Sequence, residues 1–389
     1  MQGCPTVPFR ALRSPDLWRD ALALALCVAG LLFLYSAVNV LPDSRGWGYD
    51  FTAYYHAALR LVDTGTPYQA ETLAGPFRPG PGGLYLYSPI PALLVVPLTW
   101  LEEELATWAW ALGHIALLVV ACWLLPMSRR LRLALIGVAG LSLPVITDVV
   151  LGNVSLIITC LTMVAWRFLG RPAGAAALML AMTMRPTMGL FLAWWAVRQR
   201  WRTLAWALGV GAALVLLSLP FLGLQPYLDF VTVLRNLTNV TGVPYNVDLA
   251  TTAWRLRLPE WAVAGALYAG YALAIGASLL SLRRDRELSF VVVAMATLFL
   301  SPLLWDHYLA QLLIPAAFLA KRGHAWGLLL PLLGWAPAVG LKLALPLIGL
   351  IGMLTPFVAP DRGEPALAGA VEADDIAMLD AAVGEGTGR

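Results

Sequence analysis

The sequence predicts an all-α protein that crosses a membrane about twelve times. Its 389 residues are 60% hydrophobic and only 13% charged, a composition outside the range of soluble globular proteins. The charged residues lie between long apolar runs instead of being scattered along the chain. Because a bilayer core of about 30 Å requires about 20 apolar residues per helix, these runs can be counted as membrane spans.

The apolar runs give twelve segments with helical character. The first is long and lacks a convincing small-residue cleavage site, so we interpret it as a span and not as a signal peptide. Several segments are short, and those separated at Arg185-Pro186 and near Pro337 are either separate spans or kinked or re-entrant helices. In chain order the segments cover 17–39, 105–125, 132–148, 153–168, 172–184, 187–197, 203–222, 260–282, 288–304, 307–320, 325–338 and 341–357.

Lys and Arg residues in short loops predict the orientation, because such loops favour the cytoplasmic side. The basic clusters all fall on one side of the predicted spans, provided that residues 89–101 form an interfacial or half-buried helix on the other side. That segment is short, contains two prolines and leads into three glutamates, as expected of a surface helix. The clusters are Arg10, Arg13 and Arg19; Arg129, Arg130 and Arg132; Arg167 and Arg171; Arg198, Arg200 and Arg202; Arg283, Arg284 and Arg286; and Lys321 and Arg322.

We expect a multi-pass protein of the plasma membrane, and this orientation places both termini in the cytoplasm. Residues 1–358 form a single transmembrane domain, and the Ala, Gly and acidic residues of 359–389 predict a disordered cytoplasmic tail. Two outer segments, 40–104 and 223–259, are the longest connections, and the first contains juxtamembrane helices. Long loops often carry function, so we expect the site on the outer, non-cytoplasmic side.

Composition and motifs argue against several functions. A net charge of +3 spread over short loops does not predict nucleic-acid binding. The four cysteines have neither a CxxC nor a Cys/His metal spacing, and Cys27, Cys122 and Cys160 lie in apolar runs. The sequence contains no P-loop, no GxGxxG after a strand, no HExxH and no GxSxG. Nucleotide-driven pumping and zinc proteolysis therefore lose support.

Asp50 follows the first span, just before an amphipathic helix that runs to about Asp63. A carboxylate there can cap the helix N-terminus, and its spacing alone favours that role. A carboxylate at a membrane surface beside aromatic residues is also partly desolvated and can act as a general base. The nearby Tyr54, Tyr55 and Tyr68 are either members of an interfacial aromatic belt, the commoner explanation, or rings that stack on sugars.

Cations on the predicted outer side are few. Arg185 interrupts the apolar stretch 172–197, where a charge costs at least about 2.5 kcal/mol unless it is paired or hydrated. We therefore expect Arg185 to face a cavity or an anion rather than to snorkel to the surface. Arg255 and Arg257 in the second long outer segment either bind phosphate or are ordinary solvated charges.

The tetrapeptide Trp305-Asp306-His307-Tyr308 joins two apolar segments. A polar Asp-His pair between apolar helices needs partners. The residues fit an interfacial turn anchored by Trp and Tyr, and they fit a ligand-contacting histidine equally well.

Several short motifs occur in a fixed order along the chain. The first outer segment holds Asp50-Phe51, Tyr54-Tyr55, Ala57-Ala58, Gly65-x-Pro67-Tyr68 and Tyr87-Ser88-Pro89; Gly152-Asn153, Arg185-Pro186, Ser301-Pro302 and Trp305-Asp306-His307 follow downstream. This series resembles glycosyltransferase family 87 over about residues 17–320. Gly152-Asn153 is similar to the family's Gly-Gln, and Arg185-Pro186 to its Lys-Pro. The last two motifs are similar to the family's Ser-Pro and Trp-x-His pattern.

The resemblance implies a C-type glycosyltransferase fold and a polyprenyl-phosphate sugar donor, with mannose the expected sugar. It also implies that Asp50 is the catalytic base and that Arg185 and His307 lie where donor phosphate and acceptor meet. Asn153 stands where the family has Gln and keeps the capacity for hydrogen bonding. Arg185 stands where the family has Lys and keeps the positive charge. The expected substrate-binding residues are Tyr54, Tyr55, His56, Tyr68, Asn153, Arg185, Arg255, Arg257, Asp306 and His307.

The expected reaction is an inverting sugar transfer to a hydroxyl of a lipid or glycan acceptor, with no metal and no cofactor. We expect membrane lipids around a monomeric chain and no nucleic-acid partner. The alternative is a transporter or flippase for a lipid-linked sugar, in which Arg185 and the Asp306-His307 pair would line the path. The two halves show no convincing similarity, and the long first outer segment favours the enzyme. A purely structural subunit would leave Arg185 unexplained.

Overall fold

A computed structural model describes residues 15–40, 46–76, 83–237, 240–241, 243 and 246–359. These residues form helices and connecting segments and contain no strand, so the predicted all-α class is confirmed for this part of the chain. Arg10 and Arg13 of the first basic cluster lie outside the described residues. So does the predicted disordered tail after its first residue.

The described residues form seventeen α-helices and five 3-10 helices. The 3-10 helices are Val96–Trp100, Pro186–Gly189, Asp306–Leu312, Ala325–Val339 and Lys342–Ala344. The α-helices are α1 Pro15–Val40, α2 Tyr49–Thr64, α3 Ala70–Ala74, α4 Pro89–Val95, α5 Glu103–Leu124, α6 Arg129–Leu141, α7 Leu143–Leu151, α8 Ser155–Arg167, α9 Pro172–Met184, α10 Leu190–Val197, α11 Trp201–Leu222, α12 Gln225–Asn236, α13 Leu249–Arg255, α14 Glu260–Ser281, α15 Arg286–Phe299, α16 Leu313–Lys321 and α17 Leu345–Val358.

Four of the described helices, α1, α5, α11 and α14, are long and apolar enough to cross a bilayer alone. The bent pair α6 and α7 would make a fifth span. Other predicted segments are shorter apolar helices of 10–17 residues, among them α8 and α9. The described chain thus has several apolar helices suited to a membrane, whereas the count of about twelve spans stays a prediction.

The predicted segment 132–148 is two helices and not one. The axis bends by 65° between α6 and α7. Pro144 has no N–H to donate to the carbonyl of Gly140, and its ring would clash with that carbonyl in a continuous helix. The helix therefore ends at Leu141, and Ser142 turns its hydroxyl to the carbonyl of Pro331 at 3.0 Å.

Helices α1 and α6 pack with their backbones in contact. A Cβ atom on Gly30 would lie 2.0 Å from the carbonyl oxygen of Gly137, and one on Gly137 would lie 2.4 Å from the carbonyl oxygen of Leu26. Small residues allow this approach between helices in a membrane, where apolar burial alone does not drive association. The pair is also joined at one end, where Arg130 Nε lies 2.7 Å from Asp20 Oδ1.

Helix α15 is the centre of the bundle, since every residue from Leu288 to Phe299 is buried. A helix that is apolar on all sides needs neighbours on all sides. At its beginning lie basic residues of several loops: Arg198 Nη2 donates to the carbonyl of Arg284, and Arg322 Nη2 lies 2.8 Å from Asp285 Oδ2. Two other helices, α8 and α9, contribute residues to a cavity: Ser155 and Ile158 from the beginning of α8, and Met184 from the end of α9.

Candidate active site

The cavity has a volume of about 930 Å³ and is open at one side. Six parts of the chain contribute to it: the first turns of α2, residues 83–87, the α7–α8 turn, the end of α9 with the residues that follow it, the end of α12, and residues 301–308. Of the residues that the sequence singles out, six line it: Asp50, Tyr54, Asn153, Arg185, Asp306 and His307. Their elements are far apart in the sequence, so only the tertiary fold brings them together.

Asp50 is the second residue of α2, and Gly48 occupies the N-cap position. Its Oδ2 accepts a hydrogen bond of 2.8 Å from Asn153 Nδ2, so this oxygen is used in a tertiary contact. The carboxylate still lies in the first turn, where the helix dipole favours negative charge. The interpretation of Asp50 as the residue that precedes and caps the helix is therefore wrong, and its carboxylate lines the cavity.

The first turn of α2 is docked on the α7–α8 turn by the backbone. Gly48 N donates to the carbonyl of Val150 at 2.8 Å. Gly152 has φ +70°, and a Cβ there would lie 2.6 Å from Phe51 Cβ. A glycine is required on both counts, because other residues rarely adopt this φ and none would fit against α2. This close contact sets the separation between Asp50 and Asn153.

Helix α5 holds the same turn from the other side. Trp110 Nε1 donates to the carbonyl of Gly152 at 2.8 Å, and His114 Nε2 lies 2.8 Å from the carbonyl oxygen of Asn153. The Asn153 N–H donates to the carbonyl of Asp148. The backbone on both sides of Asn153 is thus fixed, and its side chain is presented to Asp50 in a defined position.

Arg185 follows the last residue of α9 and is only 5% exposed. Its Nη1 donates to Gln311 Oε1 at 3.0 Å and its Nη2 to Ser155 Oγ at 2.9 Å. The guanidinium carbon lies 4.0 Å from the ring centroid of Tyr308, a cation–π contact. Arg185 therefore faces the cavity as predicted, held by neutral partners that leave its positive charge for an anion.

His307, the residue before Tyr308, also lines the cavity and is 4% exposed. Its Nδ1 is 3.4 Å from Asp306 Oδ1, but among the described residues neither ring nitrogen has a hydrogen-bond partner. A buried imidazole without such partners is costly unless a ligand supplies them. His307 is thus available to a molecule bound in the cavity.

Two tyrosines stand beside Asp50. Tyr54 Oη donates to Tyr87 Oη at 3.0 Å, and Tyr87 Oη lies 3.5 Å from Asn153 Nδ2. Burial raises the pKa of both phenols, so that both stay neutral. Burial also raises the pKa of Asp50 above its ordinary value, while nearby His307 and the hydrogen bond from Asn153 act against that rise.

Five predicted substrate-binding residues lie outside the lining of the cavity. Tyr55 Oη donates to the carbonyl of Leu101, and exposed His56 lies 3.4 Å from Glu103. Tyr68 Oη donates to the carbonyl of Tyr87, so it supports a lining residue from behind. Arg255 ends α13, and Arg257 follows on the surface.

The sequence interpretation did not single out Ser155, Gln311 or Tyr87 as site residues. Of these three residues, Gln311 is the one that the sequence could have indicated as a site residue, since an amide inside an apolar segment needs a polar partner. Tyr87 was noted only as part of the motif Tyr87-Ser88-Pro89. Ser155 gives no signal of its own, because a hydroxyl at the start of a helix commonly serves the backbone.

Chemically, the cavity lining combines the carboxyl groups of Asp50 and Asp306, the guanidinium of Arg185 and the imidazole of His307, whose ring nitrogens have no hydrogen-bond partner among the described residues. The described part of the chain is helical, contains apolar helices suited to a membrane and holds such a cavity, which together are features of a membrane enzyme. The family model of Glycosyltransferase family 87 matches residues 85–304, more than half of the chain, and the chain belongs to this family.

Membership makes the chain a glycosyltransferase. No curated protein and no solved structure matches it. The matched region contains Tyr87, Asn153 and Arg185, whereas Asp50 and His307 lie outside it. Roles for those two residues therefore depend on their position in the cavity.

Proposed function

We propose that the protein transfers a sugar, mannose by family resemblance, from a polyprenyl-phosphate donor to a hydroxyl group of a lipid or glycan acceptor. The observation that carries this proposal is that Asp50 and Arg185 line one cavity together with His307, whose ring nitrogens have no hydrogen-bond partner in the described part of the chain. A transfer of this kind needs a base for the acceptor and a cation for the leaving group, and these three residues supply both.

Asp50 acts as the general base. It takes the proton of the acceptor hydroxyl while the acceptor oxygen forms a bond to the anomeric carbon of the donor. The bond between that carbon and the phosphate oxygen breaks, and its electron pair leaves with the polyprenyl phosphate. Because attack comes from the face opposite the leaving group, the configuration inverts. The raised pKa of Asp50 makes its carboxylate a stronger base than an exposed aspartate.

Arg185 and His307 stabilise the departing phosphate. The leaving group gains negative charge as the bond breaks, and a fixed guanidinium in a water-poor site interacts with that charge more strongly than one in water. Two of the five N–H donors of Arg185 bind Gln311 and Ser155, which leaves donors for phosphate oxygens. The buried His307 ring supplies another hydrogen-bond donor. This mechanism requires neither a metal nor a cofactor.

The proposed setting is a C-type glycosyltransferase fold of about twelve spans in the plasma membrane. The cavity opens on the non-cytoplasmic side, and both termini are cytoplasmic. The support is that α8 and α9 each have Arg167 or Arg171 at one end and cavity-lining residues at the other, since loops rich in Lys and Arg favour the cytoplasm. The donor's hydrocarbon chain would remain in the bilayer, so the site must lie at the membrane surface.

Membranes that contain the protein are incubated with radiolabelled polyprenyl-phosphate mannose and mixed lipid acceptors. We expect transfer by the wild type and a loss of at least about 100-fold with Asp50→Asn, the scale of a lost general base. Asp229→Asn is the matched control, because Asp229 is also buried outside a span but bonds Thr66 and Gln225 away from the cavity. Equal transfer by Asp50→Asn and the wild type would show that Asp50 is not the base.

The same membranes test the transporter alternative. If the wild type transfers sugar from none of several donors, but lipid-linked sugar crosses sealed vesicles only when the protein is present, the protein is a flippase. The cation at the end of α9 fits either function, and only turnover separates them.

A further inference from the structure

Asp50 and Arg185 are joined by a continuous chain of hydrogen bonds. Arg185 Nη2 donates to Ser155 Oγ at 2.9 Å, Ser155 Oγ donates to Asn153 Oδ1 at 2.8 Å, and Asn153 Nδ2 donates to Asp50 Oδ2 at 2.8 Å. Ser155 and Asn153 are both buried. All three donors point the same way, from the cation to the carboxylate.

The direction of this chain is fixed by the local backbone. Ser155 N–H also donates to Asn153 Oδ1, at 3.0 Å, so the amide oxygen faces Ser155 and the amide nitrogen faces Asp50. A guanidinium can only donate, so Ser155 accepts from Arg185 and its own proton goes to Asn153. A flipped amide would bring two donors together at Ser155 and lose the bond to Asp50.

We propose that Asn153 and Ser155 are positioning residues that couple Arg185 to Asp50, holding Oδ2 of the carboxylate so that Oδ1 receives the acceptor proton. This inference rests on the proposed transfer reaction and deepens it. Hydrogen bonds in such a chain polarise one another, so the charge of Arg185 strengthens the donor that Asn153 offers to Asp50. The residue that faces the donor phosphate thereby also orients the base.

Other charged and titratable groups face Asp50 or the helices packed around it, and none of them belongs to the chain between Arg185 and Asp50. They are Tyr54 and His56 on α2; Tyr87 between α3 and α4; Glu103 and His114 on α5; Asp148 on α7; and Asp306, His307 and Tyr308 on the 3-10 helix Asp306–Leu312. Of these groups, Tyr87 contacts the Asn153 side chain, its Oη lying 3.5 Å from Asn153 Nδ2. Asn153→Ala removes that contact as well, whereas Ser155→Ala leaves it intact, so a shift of the Asp50 midpoint in Ser155→Ala reports the loss of the chain itself.

The test measures how Asp50 titrates, with and without turnover. Purified protein in lipid nanodiscs is titrated by infrared spectroscopy, and the Asp50→Asn spectrum is subtracted to isolate the Asp50 carboxyl band. Loss of a hydrogen bond to the carboxylate favours the protonated form. We expect the midpoint to rise by about one unit in Asn153→Ala and by less in Ser155→Ala.

Asn153→Asp has nearly the same shape as the wild type and keeps the fold testable. It places a second carboxyl group against Asp50, and two carboxylates at this distance cannot both ionise easily. We expect the largest upward shift in this variant. Ser278→Ala is the matched control, because Ser278 is a buried serine whose hydroxyl bonds only the carbonyl of Ala274 within α14.

Transfer assays on the same proteins give the second readout. We expect kcat to fall by about 10- to 100-fold in Asn153→Ala, the scale of a misplaced catalytic group, while the KM for polyprenyl-phosphate mannose changes little. The acid limb of the rate profile should move with the infrared midpoint. A donor KM that rises with unchanged pH dependence would make Asn153 a substrate contact and overturn its positioning role.

The two proposals fail in different ways. If the wild type transfers sugar but the midpoints and acid limbs of Asn153→Ala, Ser155→Ala and Asn153→Asp all coincide with the wild type, the coupling is wrong and the transfer reaction stands. If the wild type transfers sugar from no donor, the transfer reaction is wrong and the role of Asn153 and Ser155 in it falls too.

Discussion

The Asn153 side chain donates a 2.8 Å hydrogen bond to Asp50 across 103 positions of the sequence. This bond joins the first turn of α2 to the α7–α8 turn at the wall of the cavity. It explains why a carboxylate whose spacing favoured a helix cap is directed instead into a site. The helix already begins at Tyr49 with Gly48 before it, so the side chain of Asp50 is available for a tertiary role.

Asp50→Asn should leave the protein at least as stable as the wild type while abolishing transfer. Burial raises the pKa of Asp50 in the folded protein above the unfolded value of about 3.9. Below that value both states are protonated, and Asp50 carries no charge to bury. As pH rises through the folded pKa, the folded protein must give up a proton that it holds more tightly than the unfolded chain, so stability falls.

The difference in melting temperature between Asp50→Asn and the wild type should therefore be near zero at acidic pH and grow to a few degrees by neutral pH. Asparagine keeps an acceptor for Asn153. Thermal unfolding in nanodiscs across this pH range measures the difference, with Asp229→Asn as control. If Asp50→Asn melts below the wild type at neutral pH, the carboxylate is a stabilising structural group.

Gly152→Ala should destabilise the protein and inactivate it. Alanine at φ +70° costs about 1 to 2 kcal/mol, and its Cβ would lie 2.6 Å from Phe51 Cβ. Helix α2 must then move, and Asp50 moves with it. Gly65→Ala is the matched control: it has a similar φ of +79°, but in the described part of the chain its Cβ meets no atom within 4 Å.

Both glycine variants should therefore lose a similar amount of stability from backbone strain, and only Gly152→Ala should lose transfer activity beyond its loss of folded protein. Melting curves and initial rates per folded molecule separate the two effects. Equal specific activity of the two variants would show that the approach of α2 to Gly152 does not control the site.

The helical class could be predicted from the sequence because composition and apolar runs report local burial. The bend between α6 and α7 was also readable in principle, since Pro144 forbids a continuous helix through that segment. The number of spans could not be predicted from the sequence, because apolar helices of 10–17 residues can be short spans, parts of broken spans or buried core helices. Length alone does not distinguish these.

The site was predicted best where burial makes a charge costly. Arg185 was singled out by its cost in an apolar segment, and the structure gives it Gln311, Ser155 and Tyr308 as partners. Arg255 lies in a predicted outer segment, where a charge is not costly because water can solvate it. It lies outside the cavity lining. Ser155 could not be found from the sequence, because its partner Arg185 lies 30 positions away and only the tertiary fold brings the two side chains together.

Arg185→Lys should keep part of the activity, and Arg185→Met should lose it. Lysine retains the charge, but its compact ammonium does not reproduce the planar fork with which the guanidinium donates to Gln311 and Ser155. We expect the donor KM to rise about tenfold with lysine, the effect of one lost charge-assisted hydrogen bond. Methionine removes the charge while filling similar space.

Initial rates against donor concentration measure this effect, with Arg235→Lys on the exposed side of α12 as control. Arg235 is not in the cavity lining, so its variant should match the wild type. If Arg185→Met binds and turns over donor like the wild type, phosphate is recognised by other residues.

Gly137→Ala should weaken the protein far from the site. A Cβ on Gly137 would lie 2.4 Å from the carbonyl oxygen of Leu26, so α1 and α6 must separate, at a cost of about 1 to 3 kcal/mol. Gly113→Ala in α5 is the opposite case: its Cβ meets no atom of the described chain within 4 Å, and alanine favours a helix by about 0.5 to 1 kcal/mol. Thermal unfolding should therefore move in opposite directions for the two variants, while each folded protein keeps its turnover rate. Two equal upward shifts would mean that α1 and α6 do not meet backbone to backbone.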